Sequence, residues 1–425
     1  MAPSDTERAI QAVFKIESAR LIAGLTRLVR DVGLAEELAQ DALVVALEHW
    51  PEHGVPDNPG AWLMATAKRR GIDELRRKRR FADKSEALGY QIEVQAEMNA
   101  GDPDAALDDD VGDDLLRLVF TSCHPVLSSD AQIALTLRLL GGLSTSEIAR
   151  AYLVPEATLA QRIVRAKQTL ADAKVPFEVP RGEELRARLA SVLGVVYLIF
   201  NEGYSATAGD DWLRPALCDD ALRLGRILAQ LLPNEAEVHS LVALMEIQAS
   251  RTAARVNTAG EPILLLEQNR GRWDQLLIRR GLTALARAEE LGGAGGPYAL
   301  QAAIAACHAR ARTADATDWP RIAALYAALA ERAPSPIVEL NRAVAISMAF
   351  GPGAGLALIE PLRSHPALRR YHLLPSVRGD LLMKLGRLAE AELEFQEAAS
   401  LTRNSREQRL LLERAASCRK LSAGN

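Results

Sequence analysis

The sequence predicts an all-α protein. Alanine and leucine dominate it, aromatic residues make up only 4%, and apolar residues recur at the three- and four-residue spacing of helices. At 425 residues the chain has room for two or three domains, and 48% hydrophobic content supplies real cores.

Residues 5–30 read as an amphipathic helix with Ile10, Val13, Phe14, Leu21, Leu25 and Leu28 available for burial. A second helix is expected from Leu34 to His49. Leu38, Ala42, Val45 and Ala46 would face inward, while Glu36, Glu37, Gln40 and Asp41 form an acidic polar face. Trp50-Pro51 and EHGVPDNPG read as a loop. The stretch from Asn58 to Arg80 then opens with a good N-cap and a proline at the first helical position. Ala65, Ile72 and Leu75 can share a buried stripe. Trp62, Thr66, Arg69, Asp73, Arg76 and Arg80 share another face. From Lys68 onward there are eight basic residues against two acids, a net of +6 in a chain of net charge −4. A basic helix with an aromatic near its start suits a phosphate backbone with unstacked bases. The same residues would also suit a solvated or membrane-surface face, and Trp62 alone would suit a core.

Residues 82–114 hold eleven acids and a single base, Lys84, with few large apolar residues, and read as an extended linker. Helix returns over 115–174. Asp130 is expected to cap AQIALTLRLL, and Ser144-x-x-Glu147 is a capping box opening a short helix. Leu143, Ile148, Ala149 and Leu153 supply the core of that helix. After Val154-Pro155, Leu159, Ile163, Ala166 and Leu170 recur at helical spacing, and Thr158, Gln161, Arg162 and Arg165 fall on a different face. A short helix, tight turn and longer helix with polar and basic side chains outward is the helix-turn-helix plan, though a plain helical hairpin shares it. Residues 181–425 read as helices punctuated by glycine and proline. Gly379, Ala391, Phe395 and Ala398 stand at tetratricopeptide-repeat offsets. Tyr326 with Pro334, and Pro233, occupy repeat-like aromatic and closing positions, and the two prolines are 101 residues apart, about three repeat lengths. An irregular helical bundle would also accommodate them.

No apolar run approaches the roughly 20 residues that span a bilayer, and the start carries no signal-peptide core, so a cytoplasmic chain is expected. Cys123, Cys218, Cys307 and Cys418 form no C-x-x-C pair, and neither a metal nor a disulfide framework is indicated. His49 and His53 lack metalloprotease spacing, and no nucleophile–base pair stands out, so neither enzyme nor cofactor is expected.

Together these segments resemble an extracytoplasmic-function sigma factor of bacterial RNA polymerase. LAEELAQDALVVALEHW is similar to the family's polymerase-docking region. NPGAWLMATAKRRGIDELRRKRR is similar to the segment that opens and reads the minus-ten element. LSTSEIARAYLVPEATLAQRIVRAKQTL is similar to the region that reads the minus-thirty-five element. The resemblance implies sigma region 2 over 5–80, an acidic linker over 81–114, sigma region 4 over 115–175 and a tetratricopeptide-like extension over 181–425. FNEGYSAT and the repeat-like tail resemble a subgroup carrying such an extension.

The resemblance further implies core polymerase and promoter DNA as partners. Glu36, Glu37, Gln40 and Asp41 would dock on polymerase. Asn58, Trp62, Lys68, Arg69, Arg70, Arg76 and Arg77 would hold the opened minus-ten strand. Thr158, Gln161, Arg162, Arg165 and Lys167 would contact the minus-thirty-five duplex. Asn201, Glu202 and Tyr204 would contact the sigma regions, and the repeats could take a protein or peptide. The family often carries a basic residue where this chain has Ala160 and a small one where it has Gln161, so the family's base reading is not carried over to that position. No anti-sigma partner is assumed. The alternative is a one-component helix-turn-helix regulator whose repeat domain senses a ligand or protein, binding duplex DNA without polymerase.

Overall fold

Helix-forming composition yields helices nearly everywhere in the computed structural model, which describes residues 5–85, 107–206, 208–209, 212–258 and 260–423. The chain forms two compact units, residues 1–196 and 197–425. The first contains α1 (Asp5–Val29), α2 (Val32–His53), α3 (Pro59–Ser85), α4 (Leu107–Ser122), α5 (Ser129–Leu139), α6 (Thr145–Tyr152), α7 (Glu156–Asp172) and the first part of α8 (Gly182–Tyr204). The boundary therefore falls inside α8, later than the break expected near 175–181. Arg188, on the earlier part of α8, explains the attachment. It is buried, donates to the Phe120 carbonyl at 3.0 Å and lies over the Phe120 ring.

Helices α1, α2 and α3 pack mutually around Leu21, Leu25, Leu38, Ala42 and Leu63. The start signal of α3 is realised: Asn58 Oδ1 accepts the Ala61 N–H at 3.1 Å. Its buried stripe is Leu63, Ala67 and Gly71, spaced by four. Ala65, expected inside, is exposed, and Ile72 and Leu75 are half-buried. Leu28 likewise turns outward on α1. Helix α2 runs past its expected end through Pro51 to a Gly54 cap, and Trp50 is a core residue rather than a loop residue. A proline in a last turn removes only one helical hydrogen bond, which Trp50 burial offsets.

Residues 86–106, most of the expected linker, lie outside the described residues. Its last part is helix, because α4 begins at Leu107. Asp114 is buried and pairs with Arg117 at 2.6 Å and Arg27 at 3.4 Å. Acids at a helix start are favoured by the helix dipole, which a charge count cannot distinguish from a linker.

In the second unit the rest of α8 is followed by α9 (Pro215–Leu231), α10 (Ala236–Ala249), α11 (Gln275–Glu290), α12 (Pro297–Arg310), α13 (Trp319–Arg332), α14 (Pro336–Phe350), α15 (Pro352–Ile359), α16 (Leu373–Lys384), α17 (Leu388–Leu401) and α18 (Ser405–Ala423). Helices pack chiefly on their sequence neighbours, as a repeat array requires. The repeat offsets have a physical basis in the last units. Ala391, Phe395 and Ala398 are fully buried, and a Cβ on Gly379 would sit 3.0 Å from the Phe395 ring. A parallel pairing of β1 (Ala208–Gly209) with β2 (Arg403–Asn404) is the one sheet among the described residues.

Candidate nucleic-acid interface

The start of α3 carries an aromatic cluster beside cations. Trp62 is half-buried, edge-on to the buried Trp50 ring at 5.3 Å and 5.8 Å from His49, whose ring stacks on His53 at 4.0 Å. Trp62 is thus both a core neighbour and a partly open ring. Lys68 and Arg69 form no ion pair with a described residue, and Arg69 is exposed. Arg70 is tied to Asp41 of α2 at 2.7 Å. Arg76 and Arg77 are exposed and lie 3.8 Å and 3.3 Å from Asp73 and Glu74, one turn earlier. Exposed pairs of this kind contribute little and yield readily to phosphate. Asn58 is exposed but engaged as the cap of α3.

Helices α6 and α7 form the expected helix-turn-helix. Ser144 caps α6 as a full capping box with Glu147. The turn passes through Leu153 in the left-handed region at φ 52°, and its N–H bonds back to Ala149 and Arg150 carbonyls. That conformation points Leu153 outward at 54% exposure, so it is not the core residue its spacing suggested. Preceding α5 is capped by Ser128, not Asp130. Asp130 instead pairs with Arg162 at 3.2 Å. Leu159, Ile163, Ala166 and Leu170 are buried and roll α7 so that Thr158, Gln161 and Arg165 point to solvent, with Arg162 half-buried. Val164 joins this surface at 65% exposure. Its apolar character gives it no sequence signal as a polar contact, yet it falls off the buried stripe, and valine methyls suit a thymine edge.

Two expected site residues are brought together elsewhere. Lys167 does not face outward with Arg165. Its ammonium meets Glu36 of α2, and Glu36 also accepts from Arg138 Nε of α5 at 2.6 Å and from Gln40 Nε2 at 2.7 Å. Glu36 is 4% exposed, a buried ion rather than part of a free docking face. A buried carboxylate needs such partners, and two cations from two helices supply them. Glu37 and Asp41 remain exposed on α2.

The FNEGY segment forms the last turn of α8. Phe200 is fully buried, Glu202 pairs with Arg214, and Arg255 lies over the Tyr204 ring while bonding its carbonyl. Asn201 is half-buried, and its carbonyl accepts the Ser205 N–H at 2.8 Å. Gly203 is required by close approach: a Cβ there would lie 2.6 Å from the Cys218 backbone nitrogen of α9. Each of these partners belongs to the second unit, so the segment first of all knots that unit together.

Comparison with known proteins gives three family matches. Residues 14–81 match "Sigma-70 region 2", residues 117–170 match "Sigma-70, region 4", and residues 188–289 match "Family of unknown function (DUF6596)". An uncharacterised protein of Rhizobium meliloti (strain 1021) is 43% identical over 387 residues, covering 91% of this chain and 90% of that protein. No solved structure matches significantly. No described helix is long and apolar enough to cross a membrane.

Proposed function

Because the chain belongs to the sigma-70 factors, of the extracytoplasmic-function type with a C-terminal extension, we propose how its own residues divide the work of promoter recognition. Factors of this class bring polymerase core to promoter DNA, and the chemistry of RNA synthesis stays with the polymerase. In our reading, residues 5–80 dock on polymerase and hold the opened minus-ten strand. Lys68, Arg69, Arg70, Arg76 and Arg77 supply charge, and Trp62, positioned behind the Asn58 cap, offers a stacking face. Residues 115–175 read the minus-thirty-five duplex. Arg165, Thr158 and Gln161 reach base edges or phosphates from α7, flanked by Val164 and Arg162.

The observation that carries this reading is the pair of outward basic faces, on α3 and α7, each set by a buried stripe on its opposite side. Run-off transcription by the full chain with purified core polymerase and a randomised promoter library tests it. Enrichment of a two-part promoter, lost in Arg165→Ala, is the expected result. Absence of core-dependent transcripts would reject it.

We further propose that Glu37, Gln40 and Asp41 contribute to polymerase docking, and that Glu36 does so only after release from Arg138 and Lys167. The extension is proposed to control activity in cis and to be required for it. Truncation after Val196 is the proper test, because ending at Lys174 would also strip Arg188 and Ser191 from the Phe120 and Cys123 carbonyls they bond. Lost transcription with retained folding supports the requirement, and raised transcription would establish masking instead.

A further inference from the structure

Three arginines of the second unit gather around the Tyr204, Trp212 and Trp273 rings, with no ion pair to a carboxylate among the described residues. The Arg255 guanidinium lies 3.6 Å from the Tyr204 ring centroid, and the residue is 8% exposed. Arg251 lies 5.7 Å from both the Tyr204 and the Trp273 rings, and Arg270 lies 5.1 Å from Trp273. Among the described residues, no carboxylate pairs with any of the three. Other buried cations of this unit are paired: Arg378 takes Glu360 and Glu394, and Arg214 takes Glu202.

The three are not equivalent. Arg270 is occupied as a clamp, donating to the His308 and Ala311 carbonyls and to Thr317 Oγ1 at 2.7, 2.8 and 2.9 Å. Arg255 spends one N–H on the Tyr204 carbonyl. The Arg251 side chain makes no hydrogen bond to a described residue, and its Nε is buried without a partner, as is Trp273 Nε1. Burial, then the charges of Arg251 and Arg270, push the pKa of His308 down to about 3, so the cluster carries three positive charges and a neutral imidazole. Buried like charges cost free energy unless a counter-charge joins them, and packing alone would be served better by apolar side chains. The Arg255 guanidinium covers the Tyr204 face, which leaves N–H groups of Arg255 and Arg251, unlike those of Arg270, for an acceptor. Guanidinium edges bind tetrahedral oxyanions through paired, charge-assisted hydrogen bonds.

We propose that Arg251 and Arg255, steadied on Tyr204 and Trp273 and reinforced by the charge of Arg270, form a binding site for a phosphate-bearing small molecule. A small anion is favoured over a phosphorylated protein surface because Arg255 is over nine-tenths buried. The proposal is independent of the promoter-reading assignment, since it concerns the family match that carries no known function.

The test is calorimetric titration of the full chain with inorganic phosphate at constant ionic strength, with acetate as comparator. Saturable phosphate binding is expected, weakened at least about tenfold by Arg251→Gln and by Arg255→Gln, and unchanged in the exposed Arg369→Gln. If Arg255→Gln fails to fold, the half-exposed Arg251 decides. No saturable binding up to about 20 mM phosphate, equal binding of acetate, or full affinity in Arg251→Gln would each overturn the proposal.

Discussion

Replacing Glu36 by glutamine should open the first unit. Glu36 joins α2 to α5 and α7, through Arg138 and Lys167. Removing one partner from a buried ion pair costs about 3–5 kcal/mol. Here Arg138 and Lys167 keep 22% and 20% of their side-chain surface exposed, and glutamine still accepts the Arg138 N–H. A figure of about 2 kcal/mol is therefore appropriate, a shift of roughly 30-fold toward separation of the two helical modules. The four native cysteines are buried, so dyes can be placed on cysteines introduced at the exposed Glu52 and Gln168. Energy transfer between them should fall in Glu36→Gln, and affinity for core polymerase should rise. Arg138→Met breaks the same contact while leaving Glu36 in place, and should act in the same direction. Unaltered energy transfer in both variants would refute the reasoning. Weaker core binding in Glu36→Gln alone would assign Glu36 directly to docking.

Arg165→Ala should weaken promoter binding by about 1–3 kcal/mol in a mobility-shift titration, relaxing one base position if the contact is to a base edge. Lys68→Ala with Arg69→Ala should reduce open-complex formation, read by permanganate footprinting, while leaving duplex binding through α7 intact. Gly203→Ala should destabilise the second unit by about 2 kcal/mol or more in urea titration, because its Cβ would meet the Cys218 backbone at 2.6 Å. His308 has a pKa held at about 3 in the fold against 6.5 unfolded. The unfolded chain takes up this proton first as pH falls, so the stability present above about pH 6.5 drains away toward pH 3. His308→Asn should flatten that slope in denaturation measured across the window.

Much of this was legible in the sequence because local rules agreed with the tertiary outcome. The Ser144–Glu147 capping box, the Asn58 cap and the stripe through Leu159, Ile163, Ala166 and Leu170 each rest on contacts within one helix or its turn, and each is found. Several misreadings concern contacts between helices. Glu36 and Lys167 look like surface charges by spacing, and only the approach of α7 to α2 makes them a buried pair. Ala65 is outside because the broader Leu63–Ala67–Gly71 row meets α1 and α2 instead; a Cβ on Gly71 would already touch Leu38. FNEGY stood out in the sequence and suited a buried helix turn as well as an interdomain contact, but its partners were not legible, since Arg214 and Arg255 follow it by 12 and 51 residues. The clustered arginines carried no sequence signal at all, because their common aromatic neighbours lie on separate segments.

The joint at Leu153 has a consequence for how tightly α7 can grip DNA. A leucine in the left-handed region is strained by about 1 kcal/mol, yet it is pinned by two backbone hydrogen bonds to α6 and followed by Pro155, whose φ is fixed by its ring. The elbow is therefore already bent in the free protein. In the proposed docking, contact with the major groove has no hinge to freeze, so the entropy that a loose elbow would lose on binding is not subtracted from the affinity. A glycine at 153 would relieve the torsion and loosen the elbow together, making a more comfortable fold and a poorer reader.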